Sequence, residues 1–300
     1  MELELRNIQH QYGKKRILQN LSLTLTPGVY GLLGPNGTGK TTLMRIIADV
    51  LYPTSGQVLL NGQDKNKIGD LYRAQIGYLP QDLGMYSHFT ARKFLYFIAA
   101  LKGLSKEEAG ERIQSLAKIV NLSGQLDVKC GKYSGGMKRR LGIVQALLNN
   151  PRILILDEPT VGLDPMERVR FRNLISEISG DRIVILSTHI VPDIDHIAKR
   201  VFLMGQGSIL RQGTIKELLS EVQGEVWQVV VPGRLLAQIE EKGTVVNMLQ
   251  LDSGLELRVV GKQAPHPDAI QVAPCLEDVY MSYFRSPDTE KTPLKETSFR

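Results

Sequence analysis

The sequence predicts an α/β fold: a mainly parallel core sheet, preceded by an N-terminal antiparallel β subdomain, interrupted by an inserted helical subdomain and followed by a small α+β accessory domain. Short apolar runs such as Val29–Leu33, Ile153–Leu156 and Ile183–Ser187 alternate with segments of helical period. Uninterrupted apolar strands separated by helices are the mark of a parallel sheet covered on both faces. Earlier stretches alternate apolar and polar residues instead, as half-buried antiparallel strands do. From about Thr90 to Val120 apolar residues recur at three- and four-residue spacing, which predicts helices.

The elements follow in order. Leu3 and Leu5 alternate with polar neighbours in MELELRNIQH, so the N-terminus reads as a strand and lacks the continuous apolar core of a signal peptide. Leu21, Leu23 and Leu25 repeat the pattern before the Pro27-Gly28 break. Val29–Leu33 then runs into GPNGTGKTT, and Leu43, Ile46, Ile47 and Val50 follow at helical spacing: strand, loop, helix. Strands are expected around Val58–Leu60 and Ile76–Leu79, and a helical subdomain over about 82–150. Residues 121–132 read as a polar connector, after which Ser134 is placed to cap a helix through Leu141, Val144 and Leu148. Alternation then resumes, with strands at Ile153–Leu156, Ile183–Ser187 and Val201–Met204 and helices at Pro165–Ile178 and Val191–Ile197.

The character of the chain changes near Ser220. GEVWQVVV, VVNMLQL and LELRVV read as strands of an accessory domain over 220–285, with Trp227 and alternating valines as its core and LEDVYMSYF as a terminal helix. The polar stretch 286–300 predicts a flexible tail, and the first 219 residues form the principal domain.

Composition narrows the function. With 42% hydrophobic residues in 300, the chain can bury a large core. Its net charge of +6 is not gathered into basic blocks, so no nucleic-acid partner is expected. The 2 cysteines, Cys130 and Cys275, have neither metal-ligand nor disulfide spacing, which fits a reducing cytoplasm. Apolar runs such as FLYFIAAL fall far short of the roughly 20 residues that span a bilayer, so any membrane role requires a partner.

Gly34, Gly39, Lys40 and Thr41 satisfy the phosphate-loop spacing G-x-x-x-x-G-K-[ST] in the required strand-loop-helix context. Such a loop aims successive backbone N–H groups at phosphate oxygens from the positive end of a helix. Asn36, Gly37, Thr38, Gly39, Lys40, Thr41 and Thr42 are therefore the expected nucleotide-binding stretch, with Lys40 adding a full charge. The Thr41 hydroxyl suits Mg2+, a small cation that takes oxygen ligands. ILILDE at Ile153–Glu158 is a buried strand ending in two carboxylates. Successive strand side chains point to opposite faces, so the two acids should work separately: Asp157 positions Mg2+ and Glu158 reaches the attacking water. A second glycine-rich segment, YSGGMKRR from Tyr133, opens another helix with no obvious second nucleotide to hold.

GPNGTGKTT, RILILDEPT and YSGGM, in their order along the chain, resemble the nucleotide-binding subunit of ATP-binding cassette (ABC) transporters over about Met1–Leu219. The resemblance implies a P-loop NTPase cassette, an ATPase that binds ATP and Mg2+. It also implies roles for Gln81 as a metal-contacting lever into the helical subdomain, Asp164 in the loop after the acidic motif, His189 as a switch histidine holding the γ-phosphate and Glu158, and Tyr12 as the face on which adenine stacks. Thr41, Gln81 and Asp157 would then hold the metal, and Glu158, His189, Gln81 and Lys40 would carry the chemistry. The second glycine-rich segment becomes the family signature, in which Ser134, Gly135 and Gly136 complete the site of a second cassette, a copy of this chain or a homologue.

The signature departs from the family's LSGGQ in carrying Tyr133 and Met137, so its anion-binding core is kept and the glutamine's side-chain contact is lost. That form followed by KRR resembles the ATPases of ABC-2 type drug and antibiotic exporters. The implied protein is a head-to-tail dimer at the inner face of the cell membrane, driving an integral membrane permease, in export more than import. An ABC ATPase energising a non-transport process, such as membrane-complex assembly, sensing or nucleic-acid and ribosome remodelling, is the alternative.

Overall fold

In a computed structural model describing residues 1–284, the chain divides into two units, one of Met1–Lys199 with Met204–Ser208, the other of Arg200–Leu203 with the residues from Ile209. Residues 286–300, expected as a tail, lie outside the described residues.

The first unit opens with β1 (Leu3–Tyr12) and β2 (Lys15–Leu25), antiparallel neighbours whose leucines meet as Leu3 opposite Leu25 and Leu5 opposite Leu23. β3 (Gly28–Leu33) enters the core and leads through the glycine-rich loop into α1 (Lys40–Ile47). β4 (Ser55–Leu60) and β5 (Gln63–Asp64) extend the first sheet in the order β2-β1-β4-β5, all antiparallel. Short helices α2 (Lys65–Ile68) and α3 (Asp70–Ala74) precede β6 (Ile76–Leu79). The expected inserted helices are α4 (Ala91–Leu101), α5 (Lys106–Ile119) and α6 (Gly135–Leu147). Thr90 caps α4, and Ser105 and Glu108 form a reciprocal capping box on α5.

β7 (Ile153–Asp157), α7 (Pro165–Ser179) and β8 (Ile183–Thr188) complete the parallel core. β8 lies between β3 and β7, and β6 flanks β7, all in parallel register. Every residue of β7 and β8 is buried, as their apolar runs predict. The C-terminal ends of these strands therefore gather on one edge of the sheet, where ligands of open α/β sheets bind. Helix α6 approaches β6 so closely that a side chain at Gly77 would collide with the Ala146 carbonyl.

The helix expected at Val191–Ile197 is instead a 3₁₀ turn, Val191–Asp193, followed by irregular turns. Local polar groups win there: Thr188 Oγ1 accepts the Ile190 N–H at 2.9 Å, and the buried Asp193 carboxylate is drawn inward to the Thr160 hydroxyl. Side chains that offer the backbone such alternatives oppose a regular helix.

β9 (Arg200–Gly205) crosses the division between the units. In the second unit are β10 (Ser208–Gly213) from Ile209, α8 (Ile215–Ser220), β11 (Val226–Val231), α9 (Leu236–Glu240), β12 (Thr244–Leu251), β13 (Gly254–Val260), β14 (Ile270–Gln271) and α10 (Leu276–Phe284). Its sheet runs β12-β13-β11-β14. Val229, Val231, Leu257 and Val259 make the core with Ile239. Trp227, expected in that core, is half-buried outside it and donates its indole N–H to the Gly261 carbonyl at 2.9 Å. An indole must place its N–H on an acceptor when it leaves water, and the sheet end supplies one.

Lys102, at the end of α4, donates to Asn149 Oδ1 at 2.6 Å, and burial lowers its pKa from 10.5 to about 8. Between those values the unfolded chain holds more protons than the folded one, so stability rises as the pH climbs from 8 toward 10.5. At pH 7 the cost of burying the charge is fully present. Lys102→Met is expected to gain about 1 kcal/mol at pH 7 and to lose that alkaline rise, read by urea unfolding at several pH values.

Candidate active site

The phosphate loop turns between β3 and α1 because Gly39, at φ 103°, adopts a left-handed conformation that side chains disfavour. Gly39 stands at the N-cap of α1 and no side chain caps that helix, so its first N–H groups are left for an anion. Asn36 and Gly37 are exposed at the loop's turn, and Thr38 Oγ1 donates to the Pro35 carbonyl at 3.0 Å. Thr42 is buried beneath the loop. Lys40 is buried too. Its ammonium donates to the carbonyls of Gly34 at 2.6 Å and Pro35 at 3.0 Å and lies 3.8 Å from Glu158. Burial lowers the Lys40 pKa, while Glu158 and Asp157 pull it back up.

Parallel pairing of β7 with β8 sets Asp157 beside Ser187. Ser187 Oγ donates to Asp157 Oδ1 at 2.6 Å and accepts the Glu158 N–H at 3.0 Å. Thr41 Oγ1 donates to the same Asp157 oxygen at 3.3 Å. The two carboxylates do not diverge as strand alternation predicts. β7 ends at Asp157, and Glu158 lies beyond it at φ 49°, which turns its side chain back toward the loop. Asp157 therefore meets Thr41 while Glu158 meets Lys40 and, at 3.0 Å, His189 Nδ1.

Asp157 Oδ2 is buried without a hydrogen-bond partner. That orphaned oxygen, the other carboxylate oxygen and the Thr41 hydroxyl form an all-oxygen set that suits Mg2+. Among the described residues no group of three or more His, Cys, Asp or Glu could hold a metal by itself, so the remaining ligands fall to phosphate and water, as is usual for this ion. Gln81 follows β6, whose Leu79 pairs with Leu156, so it sits at the same sheet edge. Its side chain is exposed, and its carbonyl accepts from Arg139 at 3.1 Å.

Tyr12, at the end of β1, is 49% exposed and lies with its ring nearly perpendicular to that of His10, the centroids 4.6 Å apart. Asp164 caps α7 by accepting the Glu167 N–H at 2.8 Å. Ser134 caps α6 by accepting the Met137 N–H at 3.2 Å, and both Ser134 and Gly135 are exposed. Above Gly135 nothing lies within 4 Å of the direction a side chain would take. Tyr133 is buried and donates its hydroxyl to the Gln125 carbonyl at 2.7 Å, so this departure in the signature anchors the preceding connector.

Sequence reasoning missed Ser187 and Arg139. Ser187 ends a buried apolar run, where a hydroxyl has to find partners. Arg139 falls on the same helix face as the buried Gly136, Ile143 and Ala146, a charge on a stripe that should be apolar.

A phosphate loop at the end of one parallel strand, facing an acidic pair at the end of another, defines a phosphate-loop nucleoside triphosphatase. Residues 18–161 match the family model described as ABC transporter. YxlF of Bacillus subtilis, an uncharacterized ABC transporter ATP-binding protein, is 38% identical over 241 residues, 80% of either chain. The Nod factor export ATP-binding protein I of Burkholderia thailandensis is 32% identical over 80% of this chain and 79% of its own. The dimeric bacterial ABC transporter cassette MJ0796 superposes with a TM-score of 0.65 at 26% identity, over 71% of this chain and 98% of its own. The chain belongs to the ABC transporter family. It is the ATP-binding, ATP-hydrolysing subunit of a transporter.

Proposed function

We propose that two copies of this chain, or one copy and a homologous cassette, close head to tail around ATP and drive a membrane permease, in export. Ser134 and Gly135 carry the reading: they form an exposed helix N-terminus with open space before it, in a chain whose own nucleotide is served by α1. The relation to a cassette described as dimeric and to a subunit named for export supports the assembly and its direction.

Lys40 and the N–H groups of α1 hold the β- and γ-phosphates, and Tyr12 offers its exposed ring to adenine. Thr41 and Asp157, with Gln81 at the sheet edge, would hold Mg2+, which supplies neutralisation of phosphate charge when bound. Glu158 takes a proton from water as the water oxygen attacks the γ-phosphorus and the bridging oxygen leaves on ADP. His189 holds Glu158 through Nδ1 and leaves its other ring nitrogen for the γ-phosphate. Asp164 lies in the loop that reaches the second cassette, and the partner's signature segment completes the phosphate cradle.

Among the described residues no helix is long and apolar enough to cross a membrane. Shortly after Gln81, Tyr86 packs against Phe89 at 5.1 Å and Phe97 at 5.7 Å, with Tyr86 and Phe97 both exposed. This aromatic patch suits an apolar segment of a permease at the inner face of the membrane, close to the residue that senses phosphate. Ser134→Arg is expected to leave ATP binding by the single chain within about twofold of wild type and to lower turnover at least about tenfold, since only the partner's site is blocked. Unchanged cooperative turnover would sink the shared-site model.

A further inference from the structure

Arg139 lies in the signature helix α6, is buried, and has no carboxylate partner among its hydrogen bonds. Its guanidinium donates instead to backbone carbonyls of two other segments. Nε reaches Pro159 at 2.9 Å, Nη1 reaches Pro80 at 2.8 Å and Gln81 at 3.1 Å, and Nη2 reaches Asp157 and Glu158. A guanidinium has five N–H donors in a fixed planar fork, and here each has a carbonyl. Burial pushes its pKa down to about 10, so it stays charged at neutral pH.

The Glu158 backbone shows what this arrangement does. Among the described residues, positive φ outside glycine falls on Asn7, Asn20, Asp49, Asn61, Asn121 and Asn150, residue types that tolerate it, and on Glu158 and Gln206. A glutamate stays in that region only when its surroundings over-determine it. Ser187 holds the Glu158 N–H, and Arg139 holds its carbonyl. The same guanidinium grips the start of the segment that carries Gln81.

We propose that Arg139 is a positioning residue for hydrolysis: it holds Glu158 in its turned-back posture and links that posture to Gln81 and to the signature helix, so the segment serving the partner's nucleotide and the segments serving this chain's own move as one body. The inference rests on Glu158 being the base and on the signature acting across the dimer.

The test compares wild type, Arg139→Lys, Arg139→Gln and Glu158→Gln in full-length chain. Both Arg139 variants are expected to bind MgATP within about twofold of wild type and to keep KM, while kcat falls at least about tenfold and the dependence on ATP concentration loses its cooperativity. Arg139→Lys keeps the charge but offers donors from a single point, so its rate should lie between those of Arg139→Gln and wild type. A purely structural role would lower the melting temperature and leave kcat and cooperativity of the folded fraction intact, which overturns the proposal. If neither variant binds ATP, hydrogen exchange in Glu158→Gln decides. Amides at 79–82, 134–137 and 157–160 should gain protection at one shared ATP concentration, and separate midpoints overturn the linkage. Should Glu158→Gln itself turn over ATP, the site assignment fails; normal turnover in the Arg139 variants beside an inactive Glu158→Gln rejects the Arg139 inference alone.

Discussion

Glu158→Gln is expected to bind MgATP at least as tightly as wild type, to lose roughly 10²- to 10⁴-fold in kcat, and to accumulate as an ATP-bound dimer. The substitution keeps the length and shape of the side chain. It also leaves the clamp on the backbone intact, because Ser187 and Arg139 grip the N–H and the carbonyl of residue 158 and not its carboxylate. What disappears is the carboxylate proposed to accept the proton of the attacking water. One negative charge also leaves the vicinity of Lys40, 3.8 Å away, which favours the anionic nucleotide. Binding and chemistry should therefore separate cleanly. Turnover measured under saturating ATP, beside size-exclusion chromatography with and without nucleotide, checks both halves. Steady hydrolysis by this variant would move the base elsewhere, and His189 would be the first group to test.

The phosphate loop was legible because its chemistry is local. Glycines at fixed offsets, a lysine and a hydroxyl have to be adjacent in sequence for one helix N-terminus to present them together. The parallel sheet was legible for a related reason: burial on both faces leaves a continuous apolar run, and β7 and β8 show it without interruption. Strand alternation misled at Glu158, since the strand stops one residue before it and a positive φ replaces the extended backbone. Arg139 and Ser187 were hidden for the opposite reason. Arg139 meets backbone carbonyls far along the chain, and Ser187 meets the Asp157 carboxylate, 30 positions away, and the adjacent Glu158 amide, pairings that no local pattern marks. The Val191–Ile197 segment shows the same limit, because the partner of Asp193 is Thr160, far away in the sequence.

Lys40→Ala should act on binding where Glu158→Gln acts on chemistry. The ammonium is buried and held by two loop carbonyls, so it is already aimed when phosphate arrives. Losing a charge-assisted contact of this kind costs about 1.5–3 kcal/mol, and ATP affinity is expected to fall about 10- to 100-fold. Adenosine, which carries no phosphate for the loop to hold, should bind as in wild type; an equal loss for both ligands would mean that the loop had collapsed. The pH dependence adds a second check. Burial lowers the Lys40 pKa, so in the free protein the ammonium gives up its proton at a lower pH than an ordinary lysine. Phosphate favours the charged form, and ATP affinity in wild type should therefore weaken on the alkaline side as the pH rises through that lowered value. Lys40→Arg stays protonated throughout, so its ATP affinity, whatever its level, should lack this alkaline fall. A fall of the same shape in that variant would assign the titration to another group.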